Sequence, residues 1–184
     1  MIKEVIYSKR MLIRDLENND FNFINSFYND YSFYKYAIGP SMEMTKEKFN
    51  SIIKNNTSHI NNFYCVSKLI DKDIYIGTIK GCVYNCNNKI LWIHSIMISK
   101  DYLKKGYAKE LFESIVNYFK LKLNIEWIYI SVSEKNDTGA IFWQRQGFAE
   151  FKTINGGKKS ISFNNEFGKV TIYRKSCSIN IKNI

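Results

Sequence analysis

Residues Leu91 to Lys122 read LWIHSIMISKDYLKKGYAKELFESIVNYFKLK, and the order of apolar and polar residues in this stretch decides the fold. Leu91 to Ile98 holds three isoleucines and a tryptophan in a bounded run, the pattern of a strand buried on both faces, interrupted only by His94 and Ser95. After Gly106, Ala108, Leu111, Phe112, Ile115, Val116 and Phe119 recur at three- and four-residue spacing, with Lys109, Glu110, Glu113, Asn117 and Lys120 between them. That spacing predicts a helix with one buried stripe. Between strand and helix lies a lysine-rich turn closing on glycine.

The first turn of a helix leaves N–H groups unpaired at the positive end of a dipole, and together these hold an anion such as a phosphate. Gly106 and Ala108 keep that turn uncluttered, and Lys104, Lys105 and Lys109 add charge to it. A pyrophosphate would fit. On these residues alone, a plain strand-to-helix connection in which glycine eases the turn stays open.

The chain of 184 residues, 45% hydrophobic and 16% aromatic, suits one globular domain with a sizeable core. The opening MIKEVIYSKRMLIRD has no sustained apolar stretch, and no window approaches the length of a membrane span, so a cytoplasmic protein with no membrane partner is expected. Cys65, Cys82, Cys86 and Cys177 form no CxxC pair, and His59 and His94 lie far apart. Free thiols are expected, with no metal site and no disulfide framework. The net charge of +10 attracts nucleic acid, membranes or anionic ligands alike. The lysines are scattered through a chain also rich in asparagine and isoleucine, so nucleic acid is not the expected partner.

Elsewhere, Met11 to Leu16 reads as a strand and Asn18 to Tyr28 as a helix burying Phe21, Ile24 and Phe27. Asn29 to Met44 is rich in aromatics, contains the only proline and shows no clean period, which predicts a long ordered loop. It lines a binding site or covers an edge of the core. Thr45 caps a helix running to about Asn56. Asn62 to Ile70, Ile74 to Tyr84 and Lys89 to Ile98 form an antiparallel meander joined by short polar turns. Trp127 to Val132 is a further buried strand. Asn136 caps a short helix that ends at Gly147, and Phe148 to Ile154 and Lys169 to Lys175 are the last strands.

Two stretches, ISKDYLKKGYAKEL and NDTGAIFWQRQGF, resemble the GNAT superfamily of acetyl-coenzyme A dependent N-acetyltransferases. The family's loop reads Gln or Arg, two residues, Gly, one residue, then Gly or Ala. Here it is Leu103, Lys104, Lys105, Gly106, Tyr107 and Ala108, with leucine replacing the first polar residue. The second stretch supplies Asn136, Ala140, Gly147 and Phe148 at the family's spacing.

The resemblance implies an α/β fold with a mixed, largely antiparallel central sheet flanked by helices, whose strands ending at Ile98 and Val132 splay apart. It implies that acetyl-coenzyme A sets its pyrophosphate on residues 103 to 109. Its pantetheine arm would bond the backbone of Met97 and Ile98, beside Asn136, Phe142, Trp143 and Arg145. The implied reaction is direct acetyl transfer to a primary amine of a small molecule or peptide.

That amine must be neutral to attack. At pH 7 the neutral fraction is roughly one in 2,500 for a lysine-type amine and roughly one in ten for an α-amine, so the acceptor decides how much base is needed. His94 is the one imidazole in the organising strand and the expected base; a buried histidine satisfied by a hydroxyl such as that of Ser95 is the alternative. Trp143 occupies the position where the family usually has a tyrosine that protonates the leaving thiolate. Indole N–H is not a usable acid at neutral pH, so Trp143 is expected as a pocket wall. A catalytically weak coenzyme-binding or interaction protein on the same fold is the other function class, and a homodimer is left open.

Overall fold

The computed structural model describes residues 2, 4–40, 43–58, 61–85, 88–154 and 168–177. The strands are β1 (Ile6–Tyr7), β2 (Met11–Asp15), β3 (Asn62–Leu69), β4 (Tyr75–Asn85), β5 (Lys89–Ile98), β6 (Trp127–Ser133), β7 (Ala149–Ile154) and β8 (Val170–Ser176). They form one sheet in the order β1-β2-β3-β4-β5-β6-β8-β7. Every pairing is antiparallel except β5 with β6, which are parallel because the chain between them crosses over through a helix, α4 (Tyr107–Leu123).

Helices cover both faces. On one, α4 and α5 (Asp137–Arg145) bury Leu111, Phe112, Ile115, Phe119 and Trp143 against Ile13, Phe63, Ile79, Leu91 and Ile93 of the strands. On the other, α1 (Phe21–Asn29), α2 (Tyr31–Ile38) and α3 (Lys46–Ser58) bury Ile24, Phe27, Tyr34 and Phe49 against Tyr64, Val66 and Met97. The expected mixed, largely antiparallel sheet flanked by helices is the one observed.

α2 corrects the expected loop over Asn29 to Met44. Only Tyr34 and Ile38 of this helix are fully buried, too few to print a period, while Phe33 stays about half exposed. The helix ends at Gly39, whose N–H donates to the Lys35 carbonyl at 2.8 Å. β1, only two residues long, falls below what alternation can reveal. The expected excursion between the last two strands lies mostly outside the described residues, as do His59 and Cys86. Cys65, Cys82 and Cys177 are free and buried.

β5 is not buried on both faces along its length. Leu91, Ile93, Ser95, Met97 and Ile98 are buried, but Trp92 and Ile96 are half-buried and His94 is exposed. The reason is a β-bulge. Lys80 of β4 pairs with Ser95 and the next residue, Gly81, pairs with Ile93, so His94 has no partner across the strand pair. The pairing is close enough that a Cβ on Gly81 would lie 2.2 Å from the Trp92 carbonyl oxygen and 2.8 Å from the Phe63 ring, which only glycine avoids.

Candidate active site

β5 and β6 pair only through Ile90↔Trp127 to Ile93↔Ile130. Beyond that point the bulge at His94 turns β5, while Ser131 to Ser133 of β6 remain paired with β8. The two strands therefore part after Ile93 and Ile130, leaving a gap that opens towards the ends at Ile98 and Ser133. Met97 and Ile98 are both buried beside this gap. The carbonyl of Ile98 already accepts a hydrogen bond from the Tyr34 hydroxyl at 3.0 Å, leaving its second lone pair for another donor. Burial, with Asp30 nearby, pushes the Tyr34 phenol up to about 12.

The chain leaves β5 with the Ser99 N–H donating to the Ile76 carbonyl at 2.8 Å, then makes a 3-10 turn over Lys100–Tyr102. Lys100 pairs with Asp30, which ties this turn to the end of α1. Lys104 and Gly106 both adopt left-handed backbone, with φ of +58° and +82°. For Gly106 this conformation is free of a Cβ penalty; for Lys104 it costs about 1–2 kcal/mol and marks a constrained loop. Gly106 is also the N-cap of α4. Among the described residues, no hydrogen-bond acceptor engages the backbone N–H groups of residues 104–109. Six consecutive amides at the positive end of a 17-residue helix are an anion cradle by composition.

The lysines of the loop differ in what they do. Lys105 folds back so that its ammonium donates to the Asp101 carbonyl at 2.7 Å, and Lys109 lies 3.8 Å from Glu113 along the helix. Lys104 is exposed. Leu103, Tyr107 and Ala108 are half-buried against the core, with the Tyr107 ring under the Arg10 guanidinium at 4.0 Å.

Arg10, in the β1–β2 turn, was not legible as a site residue. Its Nη1 donates to the Lys105 carbonyl at 3.0 Å and its Nε to Glu110 Oε2 at 2.7 Å. Glu110 Oε1 also accepts from the Arg10 N–H and the Ser8 hydroxyl, both at 2.8 Å. Burial raises the Glu110 pKa, but the hydrogen bonds and charge of Arg10 and Ser8 outweigh it and hold the carboxyl below its usual range. No local signal announces contacts between residues about a hundred positions apart.

Asn136 caps α5 as expected, its Oδ1 accepting from the Gly139 N–H at 3.0 Å. Phe142 is half-buried and Arg145 is exposed on the same helix. Trp143 is the residue expected as a pocket wall. It is 7% exposed, with its ring packed edge to face against Phe112 at 5.3 Å, Phe142 at 4.8 Å and Phe148 at 5.2 Å. Its ring joins α5 to α4 within the core.

His94 stands at the bulge on the same face as α1 to α3. Its Nε2 lies 3.4 Å from the Cys82 thiol, so the expected alternative of a buried imidazole satisfied by Ser95 does not describe it. Although exposed, the ring is enclosed enough that burial lowers its pKa, and the neighbouring Lys80 ammonium lowers it further. A neutral imidazole at pH 7 follows. Among the described residues, no group of three or more His, Cys, Asp or Glu is arranged to hold a metal ion, and no helix is long and apolar enough to cross a membrane.

Residues 13–166 match the family model described as an acetyltransferase (GNAT) domain. No curated protein matches the chain. Solved structures similar to it include an acetyltransferase of the GNAT family from Bacillus anthracis, 22% identical with a TM-score of 0.74, covering 94% of this chain and 98% of that one. The spermidine N-acetyltransferase from Vibrio cholerae, solved with CoA and spermine, is 18% identical with a TM-score of 0.76 over 90% of this chain and 95% of that one. An acetyl transferase from Salmonella typhimurium that modifies the N-terminal serine of ribosomal protein L7/L12 is 10% identical with a TM-score of 0.78, covering 95% and 100%. At these identities the likeness is one of fold.

Proposed function

The chain belongs to the GNAT acetyltransferase family, with acetyl-coenzyme A as its cosubstrate, and we propose that it acts as a single domain over residues 1–184, moving the acetyl group directly onto a primary amine of a small molecule or peptide. One juxtaposition carries this reading. The unengaged amides of residues 104–109 begin at the end of the same strand whose bulge carries His94, and the strand beside it diverges at that bulge.

In this reading the amides of residues 104–109 hold the pyrophosphate, and the half-buried Tyr107 and Ala108 keep the loop's underside dry. The backbone of Met97 and Ile98 orients the pantetheine arm, with Asn136, Phe142 and Arg145 of the α5 region beside it. His94, neutral at pH 7, takes the proton of the acceptor's ammonium so that the amine can attack the thioester carbonyl. A backbone N–H near Met97 would receive the oxyanion. Trp143 is packed in the core and is not an acid, and the Tyr34 phenol is committed to Ile98, so the departing thiolate takes its proton from water. Proximity of the bound partners then carries much of the rate. The free thiols of Cys65, Cys82 and Cys177 support a cytoplasmic setting.

The test is thiol release from acetyl-coenzyme A across a panel of amines, with wild type beside His94→Ala. The expected result is transfer to at least one amine and a loss of about a hundredfold in turnover in the variant, with coenzyme affinity kept. Transfer to no amine would leave a coenzyme-binding protein on the same fold.

A further inference from the structure

The face of the sheet on which His94 stands is cationic. The strand register assigns Arg14, Lys68, Lys80, Lys152 and Arg174 to it. The two carboxylates of the described strands, Asp15 and Glu150, pair with Cys65 and Tyr173 on the opposite face. Two of these cations are neutralised by acids from outside the strands: Arg14 by a two-pronged bond to Asp20, with both contacts at 2.8 Å, and Lys68 by Asp73. Lys152 sits exposed on the edge strand.

Lys80 is different. It lies in the middle of the sheet, paired with Tyr64 on one side and Ser95 on the other, directly against the bulge at His94. It is half-buried, and its Nζ stands 5.7 Å from the centre of the Tyr64 ring. Among the described residues no carboxylate lies within ion-pair distance of it. Tyr64 is itself 4% exposed, its hydroxyl near the Thr78 side chain and without a hydrogen bond of ordinary geometry among the described residues. Burial, with the charge of Lys48, lowers the Lys80 pKa, as expected of an ammonium lacking a counterion. Half-buried beside the candidate base, with the Tyr64 ring but no carboxylate near its ammonium among the described residues, Lys80 is placed to meet an anionic ligand.

We propose that Lys80 selects the acceptor: its ammonium binds a carboxylate or phosphate carried by the amine that His94 deprotonates, so the acceptor is an anionic amine and not a polyamine. This rests on the acetyltransferase reading above. The chemistry is consistent on both sides of the exchange. A polycation would enter a face whose strand charges are all of its own sign, whereas an amino acid or an amino-sugar phosphate brings the counterion that Lys80 lacks. The ammonium of Lys80 also disfavours the protonated form of an amine bound beside it, which raises the fraction ready to attack.

The experiment measures kcat/KM of the full chain with acetyl-coenzyme A and four acceptors: glutamate, glucosamine 6-phosphate, spermidine and an uncharged primary alkylamine of similar size. Lys80→Met, Lys80→Arg and the edge-strand variant Lys152→Met are compared with wild type. Wild type is expected to favour an anionic acceptor over the alkylamine by about tenfold or more, and Lys80→Met to lose that preference chiefly through KM. Lys80→Arg should restore most of it, and Lys152→Met should not alter it. The choice between glutamate and the phosphate distinguishes the two anion sources. A preference for spermidine, or an equal loss on all acceptors in Lys80→Met, would overturn the proposal. If wild type acetylates none of the four, calorimetry of glutamate and glucosamine 6-phosphate on the coenzyme-bound protein decides the point without turnover. Binding that Lys80→Met abolishes sustains the anion site, and no binding overturns it while the transfer reading stays with the wider amine panel.

Discussion

Arg10 reaches the carbonyl of Lys105 at 3.0 Å while its other guanidinium nitrogen grips Glu110 at 2.7 Å. One side chain from the first hairpin therefore spans the junction between the anion loop and the first turn of α4. The contact sets the geometry of the amides without occupying any of them.

Arg10→Ala is expected to weaken coenzyme A binding about tenfold, the loss expected when a charge-assisted contact that preorganises a loop is removed. Calorimetry checks it, with circular dichroism reporting that the fold is retained. Unchanged affinity would mean the loop holds its shape unaided.

The Glu110 cluster has a pH signature. Its carboxyl titrates below the ordinary value of 4.5 in the folded chain, so its stabilisation is fully present above that value and is lost as the pH falls through the lowered folded value. Urea denaturation of wild type and Glu110→Gln across acid pH should show the two curves drawing together below 4.5 and apart above it. A constant gap would assign the effect to packing.

Asp20 is 1% exposed and receives both prongs of Arg14. Asp20→Ala strands a guanidinium that is 18% exposed, and should cost about 3 kcal/mol in chemical denaturation. Replacing both residues with apolar side chains of similar volume should cost less than the single change.

Trp143 tests its own placement. Trp143→Ala should destabilise by about 3–5 kcal/mol, and Trp143→Tyr, which brings a hydroxyl among three phenylalanines, by about 1–3 kcal/mol. Were Trp143→Tyr to raise acetyl transfer at unchanged stability, its ring would belong to the pocket and not to the core.

These residues show where the sequence is informative. β5, the glycine-closed loop and α4 were legible because each carries a local pattern: an apolar run, a left-handed turn residue and a helical stripe. The cap at Asn136 and the stop at Gly147 were legible for the same reason. α2 was not, since two buried residues among exposed aromatics print no period. The bulge at His94 depends on how Lys80 and Gly81 pair across strands, which no single strand records. The pairing of Arg10 with Glu110 and the burial of Trp143 against Phe112 are likewise properties of packing, set by distant elements meeting.

The His94 base has a direct kinetic mark. Its pKa is lowered from 6.5, so the rate should fall with acid along a limb whose midpoint lies below 6.5. Removing the neighbouring cation in Lys80→Met should move that midpoint up. A limb that stays in place would separate the two residues.

The most direct measurement is the response of backbone amide resonances to coenzyme A in isotope-labelled protein. The N–H groups of residues 104–109 should shift together on titration, with the largest changes at Gly106 and Tyr107, and Gly106→Glu should erase them while leaving the remaining spectrum folded. Saturable binding that leaves those amides unmoved would contradict the placement of the pyrophosphate, and with it the catalytic geometry built outward from that loop.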